Sequence, residues 1–381
     1  MSGILLVPFH PPGHAEPMAA LGAQLRSAGH TVSEFAGAGL GSGSSRWRLG
    51  GPVPPALLAS ADGGTLFRHL FLGDIGDMAR DIADAARAYR ADLIVTDVMM
   101  AGGGLAAQLL DLPWVSLCCS PVPELDAYRR FIPAHAVAAF AAKPTLDALG
   151  LPDDDDRNLL GRTSPWLHLI PTTPRFAGAA RLPDPVALVG PLAPMPAAPR
   201  ASARAGTPTV VVTASTAAPP TLAAGSYRQD RYLAEATAAL GDLDVVGLVT
   251  HAAGAGEPPA NVRFLGYTHH DDLFDRADAV VTHAGWGTVS RALVRGLPLV
   301  LVPIANDQTY IAERCAELGL GIALPPERVT AAGLREAIRA VLEEPRYREA
   351  SAGFAGELRS APPLATAGSL IDSLPLPAWR G

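Results

Sequence analysis

Lysine is all but missing from this chain: across 381 residues only Lys143 is a lysine, and arginine carries the remaining positive charge. Alanine is abundant alongside it, a bias typical of G+C-rich coding, so the missing lysines carry no functional message. Basic residues number 30 against 37 acidic ones, for a formal net charge of −7 and a pI near 5.8. That balance excludes the basic field of a nucleic-acid binder. Cysteine is equally scarce: Cys118, Cys119 and Cys315 make neither a disulfide framework nor a zinc site. Cys118 and Cys119 follow an apolar run and read as buried thiols, with a reactive pair as the rival reading. A reducing, cytoplasmic compartment is expected. Met1 to Pro8 lacks a basic leader, and no apolar run reaches the length of a membrane span. Aromatics are only 6% of the chain against 49% hydrophobic residues, so the cores must be aliphatic.

A chain of this length suits two domains better than one. Residues 3–8 read as a buried strand, followed by a Pro/Gly loop, a helix from about Pro17 to Ala28 stopped by Gly29, and a strand from Thr31 to Phe35. That βαβ opening predicts a parallel sheet with helices on both faces. Residues 36–64 give little regular signal. A helix over about 74–90, a strand ending at Asp97, a helix over 102–110 and a strand over 114–117 continue the alternation. Residues 183–208, rich in proline and alanine, mark the boundary. Beyond it, strands are expected at 209–213, 244–249, 278–282, 299–302 and 320–324, and helices over about 331–373. The run Asp153–Asp156 reads as a solvated loop.

The most informative segment is Ala279-Val-Val-Thr-His-Ala-Gly-Trp-Gly-Thr-Val-Ser290. An apolar strand runs into His283, then a glycine-bearing turn, then a helix beginning near Thr288. Glycine lets a backbone approach a ligand closely, and the amides of a helix start attract anions. His283 and Thr288 add side-chain donors for phosphate. Any α/β protein can place Gly285 and Gly287 at such a turn, but His283, Trp286 and Thr288 around them are less easily explained that way.

With Gly296-Leu-Pro-Leu-Val-Leu-Val-Pro303 and Asp307-Gln308 after it, this segment resembles the donor signature of family 1 glycosyltransferases, in particular their antibiotic and macrolide branch. The resemblance covers essentially the whole chain and is strongest over 262–325. It implies the GT-B fold: two Rossmann-like, doubly wound α/β domains facing each other across a cleft. On this chain they would be an acceptor-binding domain over 1–195, a nucleotide-sugar domain over 207–365, and a segment over 366–381 crossing back to the first. Asp307 and Gln308 match the pair that holds sugar hydroxyls. Tyr267 matches the aromatic that packs on the base, replacing the usual tryptophan, and Thr268 offers backbone groups to the base edge. Thr213-Ala-Ser-Thr216 matches the turn that contacts phosphate, although the family's glycine is Ser215 here, so Ser215 and Thr216 are weaker matches. Where UDP-using members place a glutamate for the ribose, this chain has Arg291. Either a dTDP-sugar is favoured over a UDP-sugar, or Arg291 simply faces solvent on its helix.

The same resemblance makes His14, of the Gly13-His14 pair, the base that deprotonates the acceptor, with His10 as its rival. Read without it, His14 is a loop histidine capping a helix. Histidine suits a base because its ordinary pKa lies near neutrality. Asp97 matches the carboxylate partner of that histidine, or else is an N-cap for the following helix. The implied reaction is an inverting transfer from a nucleoside-diphosphate sugar to a small hydrophobic acceptor such as a polyketide aglycone. No cofactor and no metal are required: Asp242-Leu-Asp244 spells a metal-binding Asp-x-Asp but reads better as a surface turn. Residues 36–70 and 118–145 are the expected acceptor walls. C-glycosylation of an aromatic carbon and a non-catalytic sugar-nucleotide-binding role are the alternatives, and the chain is expected to be a monomer or homodimer.

Overall fold

The computed structural model describes residues 1–9, 12–35, 75–123, 145–152, 163–178, 182, 184–196, 206–215, 229–250, 257–266, 268–304, 307–325 and 328–376. His10, Thr216, Tyr267 and Asp153–Asp156 lie outside the described residues, as do the first expected acceptor wall and most of the second. The chain divides into two compact units, Met1–Leu192 with Pro363–Gly381, and Ala193–Pro362.

In the first unit the strands are β1 (Gly3–Val7), β2 (Thr31–Glu34), β3 (Leu93–Asp97), β4 (Trp114–Leu117), β5 (Leu167–Ile170) and β6 (Val186–Leu188). They form a parallel sheet in the order β2-β1-β3-β4-β5-β6. The helices are α1 (Pro12–Ser27), α2 (Ile75–Tyr89), α3 (Ala101–Leu109) and α4 (Pro174–Ala177). Strand β1 is an unbroken apolar run because both faces of the sheet are covered. Leu5 and Val7 face a cluster with Met78, Ile82 and Ala86 of α2, while Ile4 and Leu6 face Met18, Leu21 and Leu25 of α1. Truncating a residue such as Leu21 to alanine in this packing costs about 2–5 kcal/mol.

The first unit differs from the sequence expectation in three places. Helix α1 starts at Pro12, five residues before Pro17, which lies inside it. Pro12 is tolerated in the opening turn, and the missing N–H of Pro17 frees only the Gly13 carbonyl one turn from the helix end. His14 therefore sits in the first turn of a helix, not in a loop. The stretch assigned wholly to the linker contributes the edge strand β6. Strand β5 also went unread, because it is only four residues long and carries His168 in its middle.

In the second unit β7 (Thr209–Val212), β8 (Val246–Thr250), β9 (Val262–Leu265), β10 (Ala279–Thr282), β11 (Leu299–Leu301) and β12 (Gly321–Ala323) form another parallel sheet, in the order β12-β11-β10-β7-β8-β9. Its helices are α5 (Gln229–Gly241), α6 (His270–Phe274), α7 (Trp286–Val294), α8 (Gln308–Glu317), α9 (Ala331–Glu343) and α10 (Pro345–Ser360). Tyr232, Ala236 and Leu240 of α5 and Leu334, Ile338 and Val341 of α9 cover one face over Val210, Val212 and Val281. Helix α11 (Pro363–Asp372) then belongs to the first unit, where Ala367 and Ile371 join the cluster of Met18 and Leu21, and His30 Nε2 lies 2.8 Å from Asp372 Oδ1. Among the described residues no helix is long and apolar enough to cross a membrane.

One buried polar chain crosses the first sheet. The Ser164 N–H donates to Ser116 Oγ at 2.8 Å, and Ser116 Oγ lies 2.7 Å from His168 Nδ1. Burial pushes His168 down from 6.5 to about 4, so folding favours the neutral ring. The unfolded chain binds the proton more readily, hence this histidine contributes stability above 6.5 that is lost as pH falls toward 4. Urea unfolding of His168→Gln at a series of pH values should show lower stability at neutral pH and a flatter decline on acidification than the parent chain. An equally steep decline would show that His168 does not carry this dependence.

Candidate active site

A doubly wound sheet places ligands outside the carboxyl ends of its strands, where the strand order reverses. In the first unit that point lies between β1 and β3. His14 follows β1 and Asp97 ends β3, and the structure brings the two together: His14 Nδ1 lies 2.9 Å from Asp97 Oδ2. Asp97 is buried while the imidazole keeps partial exposure. The other carboxylate oxygen, Oδ1, accepts the Met99 N–H at 2.8 Å, so the carboxylate is locked by its own turn. It is not the N-cap of α3, a position Met100 occupies. Gly103 is required behind this turn, because a Cβ there would lie 2.2 Å from Thr96 Oγ1. Phe9 packs edge-on against the imidazole, ring centroids 4.8 Å apart.

With an anionic carboxylate accepting from Nδ1–H, the lone pair of His14 is on Nε2. That atom faces Cys119 Sγ at 3.1 Å. Cys118 is buried as expected of a core thiol, but Cys119 is only half-buried and belongs to the site. The sequence signal was its position just past a strand end, and composition alone could not separate it from its neighbour.

In the second unit the reversal lies between β7 and β10. Strand β10 delivers His283, Ala284 turns the chain with φ 66°, and Gly285 caps α7, which begins at Trp286, two residues before the Thr288 expected from sequence. A left-handed non-glycine residue costs of order 1–3 kcal/mol and marks a turn held by its surroundings. The His283 ring lies over Gly285, whose Cβ, if present, would stand 2.4 Å from Nε2. Burial first, and the nearby His270 second, push His283 down to about 4, so it is a neutral donor at physiological pH. His283 Nδ1, Thr282 Oγ1 and Thr213 Oγ1 are buried with no hydrogen-bond partner among the described residues. Orphaned polar atoms at two adjacent strand ends suit a polar ligand such as a diphosphate. Thr288 Oγ1 lies 3.4 Å from His270 Nδ1. Gly287 sits in the same first turn and accepts from Ser290 Oγ at 3.2 Å.

Other expected site residues are more constrained than the sequence suggested. The Ser215 N–H donates to Gln229 Oε1 at 2.7 Å, and Gln229 Nε2 donates to the Ser215 carbonyl at 3.3 Å, so a glutamine absent from the sequence reading holds this turn. Asp307 is the N-cap residue of α8, and Gln308 Oε1 accepts the Ile304 N–H at 2.8 Å. Thr268 Oγ1 donates to the Gly266 carbonyl at 3.2 Å. Arg291 does not face solvent. It is buried, with Nε 3.2 Å from Asp271 Oδ2, and Arg295 beside it reaches Asp271 at 2.9 Å and Asp275 at 2.7 Å. These pairs join α6 to α7. Asp242 of the Asp-x-Asp run is ion-paired with Arg335 on the surface. Gly285→Ala should displace His283 and lower the affinity for nucleoside diphosphates while leaving the circular dichroism of the folded chain unchanged. Undiminished affinity by calorimetry would remove His283 from the phosphate site.

Comparison with known proteins agrees with this architecture. Residues 233–372 match the family described as erythromycin biosynthesis protein CIII-like, C-terminal domain. The chain is 27% identical to 4'-demethylrebeccamycin synthase of Lentzea aerocolonigenes, over 95% of this chain and 97% of that protein. It is 29% identical to TDP-daunosamine transferase DnrS of Streptomyces peucetius, over 75% of this chain and 68% of that one. Among solved structures, the glycosyltransferase of kitacinnamycin superposes with a TM-score of 0.75 at 23% identity, covering 97% of this chain and 98% of that one. The chain thus has two parallel-sheet α/β domains of the GT-B fold and an EryCIII-like C-terminal domain, and its homologues are antibiotic glycosyltransferases.

Proposed function

We propose that this protein transfers a sugar from a nucleoside diphosphate, thymidine diphosphate in preference to uridine diphosphate, to a hydroxyl of a hydrophobic natural-product acceptor, with inversion at the anomeric carbon. The observation that carries the reading is the His14–Asp97 pair at the first switch point, in which the carboxylate holds Nδ1 and leaves the lone pair on Nε2. In this mechanism Nε2 takes the proton of the acceptor hydroxyl as its oxygen attacks the anomeric carbon. The bond to the diphosphate breaks, and Asp97 stabilises the imidazolium formed. Negative charge accumulating on the leaving diphosphate meets the first-turn amides of α7, the neutral His283 and the Thr288 hydroxyl.

Two observations support a thymidine donor. Position 291 offers a guanidinium already paired with Asp271 in place of a carboxylate for a ribose 2′-hydroxyl. DnrS, a relative over three quarters of the chain, is named as a TDP-sugar transferase. The metal-free character of the reaction rests on the helix start and neutral donors, and on the pairing of Asp242 with Arg335.

Binding only to the folded state raises the melting temperature. Thymidine diphosphate should therefore shift the melting curve more than uridine diphosphate, and a failure of both at millimolar levels would sink the reading. Turnover should persist in EDTA; complete loss restored by magnesium or manganese would return Asp242 and Asp244 to the mechanism.

His14→Ala should lower turnover by about a hundred- to ten-thousand-fold on an acceptor with an unactivated hydroxyl. Thymidine diphosphate binding should stay near that of the parent, and Asp97→Asn should lower turnover by less. Near-normal turnover of His14→Ala would assign proton removal to another group.

A further inference from the structure

The proposed transfer assigns no step to Cys119, yet its sulfur lies 3.1 Å from the ring nitrogen on which the base works. We propose that His14 Nε2 and Cys119 Sγ form an inhibitory site for a thiophilic divalent cation of the zinc type. Ligand atoms of His14, Asp97 and Cys119 all lie within 4.8 Å of one another. They come from three parts of one rigid frame: the first turn of α1, the end of β3 and the segment just after β4. Asp97 holds Nδ1 at 2.9 Å, which aims the Nε2 lone pair at the sulfur 3.1 Å away. A carboxylate on one ring nitrogen and an open lone pair on the other is the arrangement that orients a metal-binding histidine.

Zinc takes histidine nitrogen at about 2.0–2.1 Å and thiolate sulfur at about 2.3 Å, in tetrahedral geometry. Those lengths require an Nε2–Sγ separation of about 3.5 Å, so the sulfur must withdraw by about 0.4 Å. A small χ1 rotation of the half-buried Cys119 supplies it. The cation displaces the thiol proton to solvent, forms bonds to sulfur and nitrogen, and keeps water on its remaining positions. Magnesium, which prefers oxygen ligands in octahedral geometry, is excluded by the same donor set. Once bound, the metal holds the lone pair that the acceptor proton needs. This consequence rests on His14 being the base; the site itself does not.

Cobalt(II) titrated into the full-length protein without any substrate tests the site. The parent chain should develop a near-ultraviolet sulfur-to-cobalt charge-transfer band, and Cys119→Ser should lose it. His14→Gln should need far more cobalt, and Asp97→Asn should bind about ten- to a hundredfold more weakly. In the transfer reaction zinc should inhibit, EDTA should restore the rate, magnesium should not inhibit, and Cys119→Ser should resist zinc relative to its own metal-free rate. Absence of the band in the parent chain, its survival in Cys119→Ser, or undiminished zinc inhibition of that variant would overturn the proposal. A cobalt band without sugar transfer from any nucleotide sugar would sink the functional reading and leave the site standing. Transfer without a band would do the reverse.

Discussion

In a parallel sheet wound in both directions, right-handed crossovers send helices to opposite faces on either side of one strand. At that reversal two neighbouring strand ends are left uncovered. Both units of this chain obey that constraint, the first between β1 and β3 and the second between β7 and β10. Each catalytic or donor-binding candidate that matters most lies beside one of these two gaps. His14 and Asp97 flank the first, and Thr213, Thr282 and His283 flank the second. The chemistry is thus placed by topology before any individual side chain is considered.

What topology exposes, local packing makes rigid. Thr96, Met99 and Gly103 hold the turn after β3 so tightly that the Asp97 carboxylate has one orientation, with one oxygen on its own backbone and the other on the imidazole. Around His283 the equivalent device is strain and contact: a left-handed Ala284, and a glycine with no room for a Cβ. The two histidines consequently differ in character. His283 is sealed and neutral, suited to donating a hydrogen bond without gaining charge. His14 is partly exposed and partnered by a carboxylate, suited to accepting a proton. Glycosyl transfer in the proposed form needs one of each.

The buried guanidiniums of Arg291 and Arg295 show a different use of charge. They tie α6, which precedes β10, to α7, which follows it, through Asp271 and Asp275. Removing one partner from such a network leaves an uncompensated buried charge, typically a larger cost than the net gain from the pair itself. The network therefore braces the C-terminal half of α7 against α6, whose first residue, His270, lies 3.4 Å from Thr288 Oγ1 and helps keep His283 neutral.

Much of this was legible in the amino-acid sequence, because apolar runs and glycine turns are local signals. The strands β1, β3, β4, β7, β10 and β11 follow from short apolar runs rich in valine, leucine and isoleucine, and the His283 turn from the glycines after β10. Strands β5, β6 and β9 were not legible, being short and, in β6 and β9, only partly buried; their pairing partners define them. Pro17 carries the usual mark of a helix opening, yet the helix starts at Pro12 and Pro17 lies inside it. Sequence alone supplied the residue types of the site. Tertiary structure decided that Asp97 holds His14 and is not a cap, that Arg291 is buried against Asp271, that Gln229 secures Ser215, and that Cys119 meets the catalytic candidate. Each of these joins residues at least fourteen positions apart, the separation of Ser215 and Gln229. A hydrogen bond across such a distance depends on where the sheet returns the chain, which no local periodicity encodes.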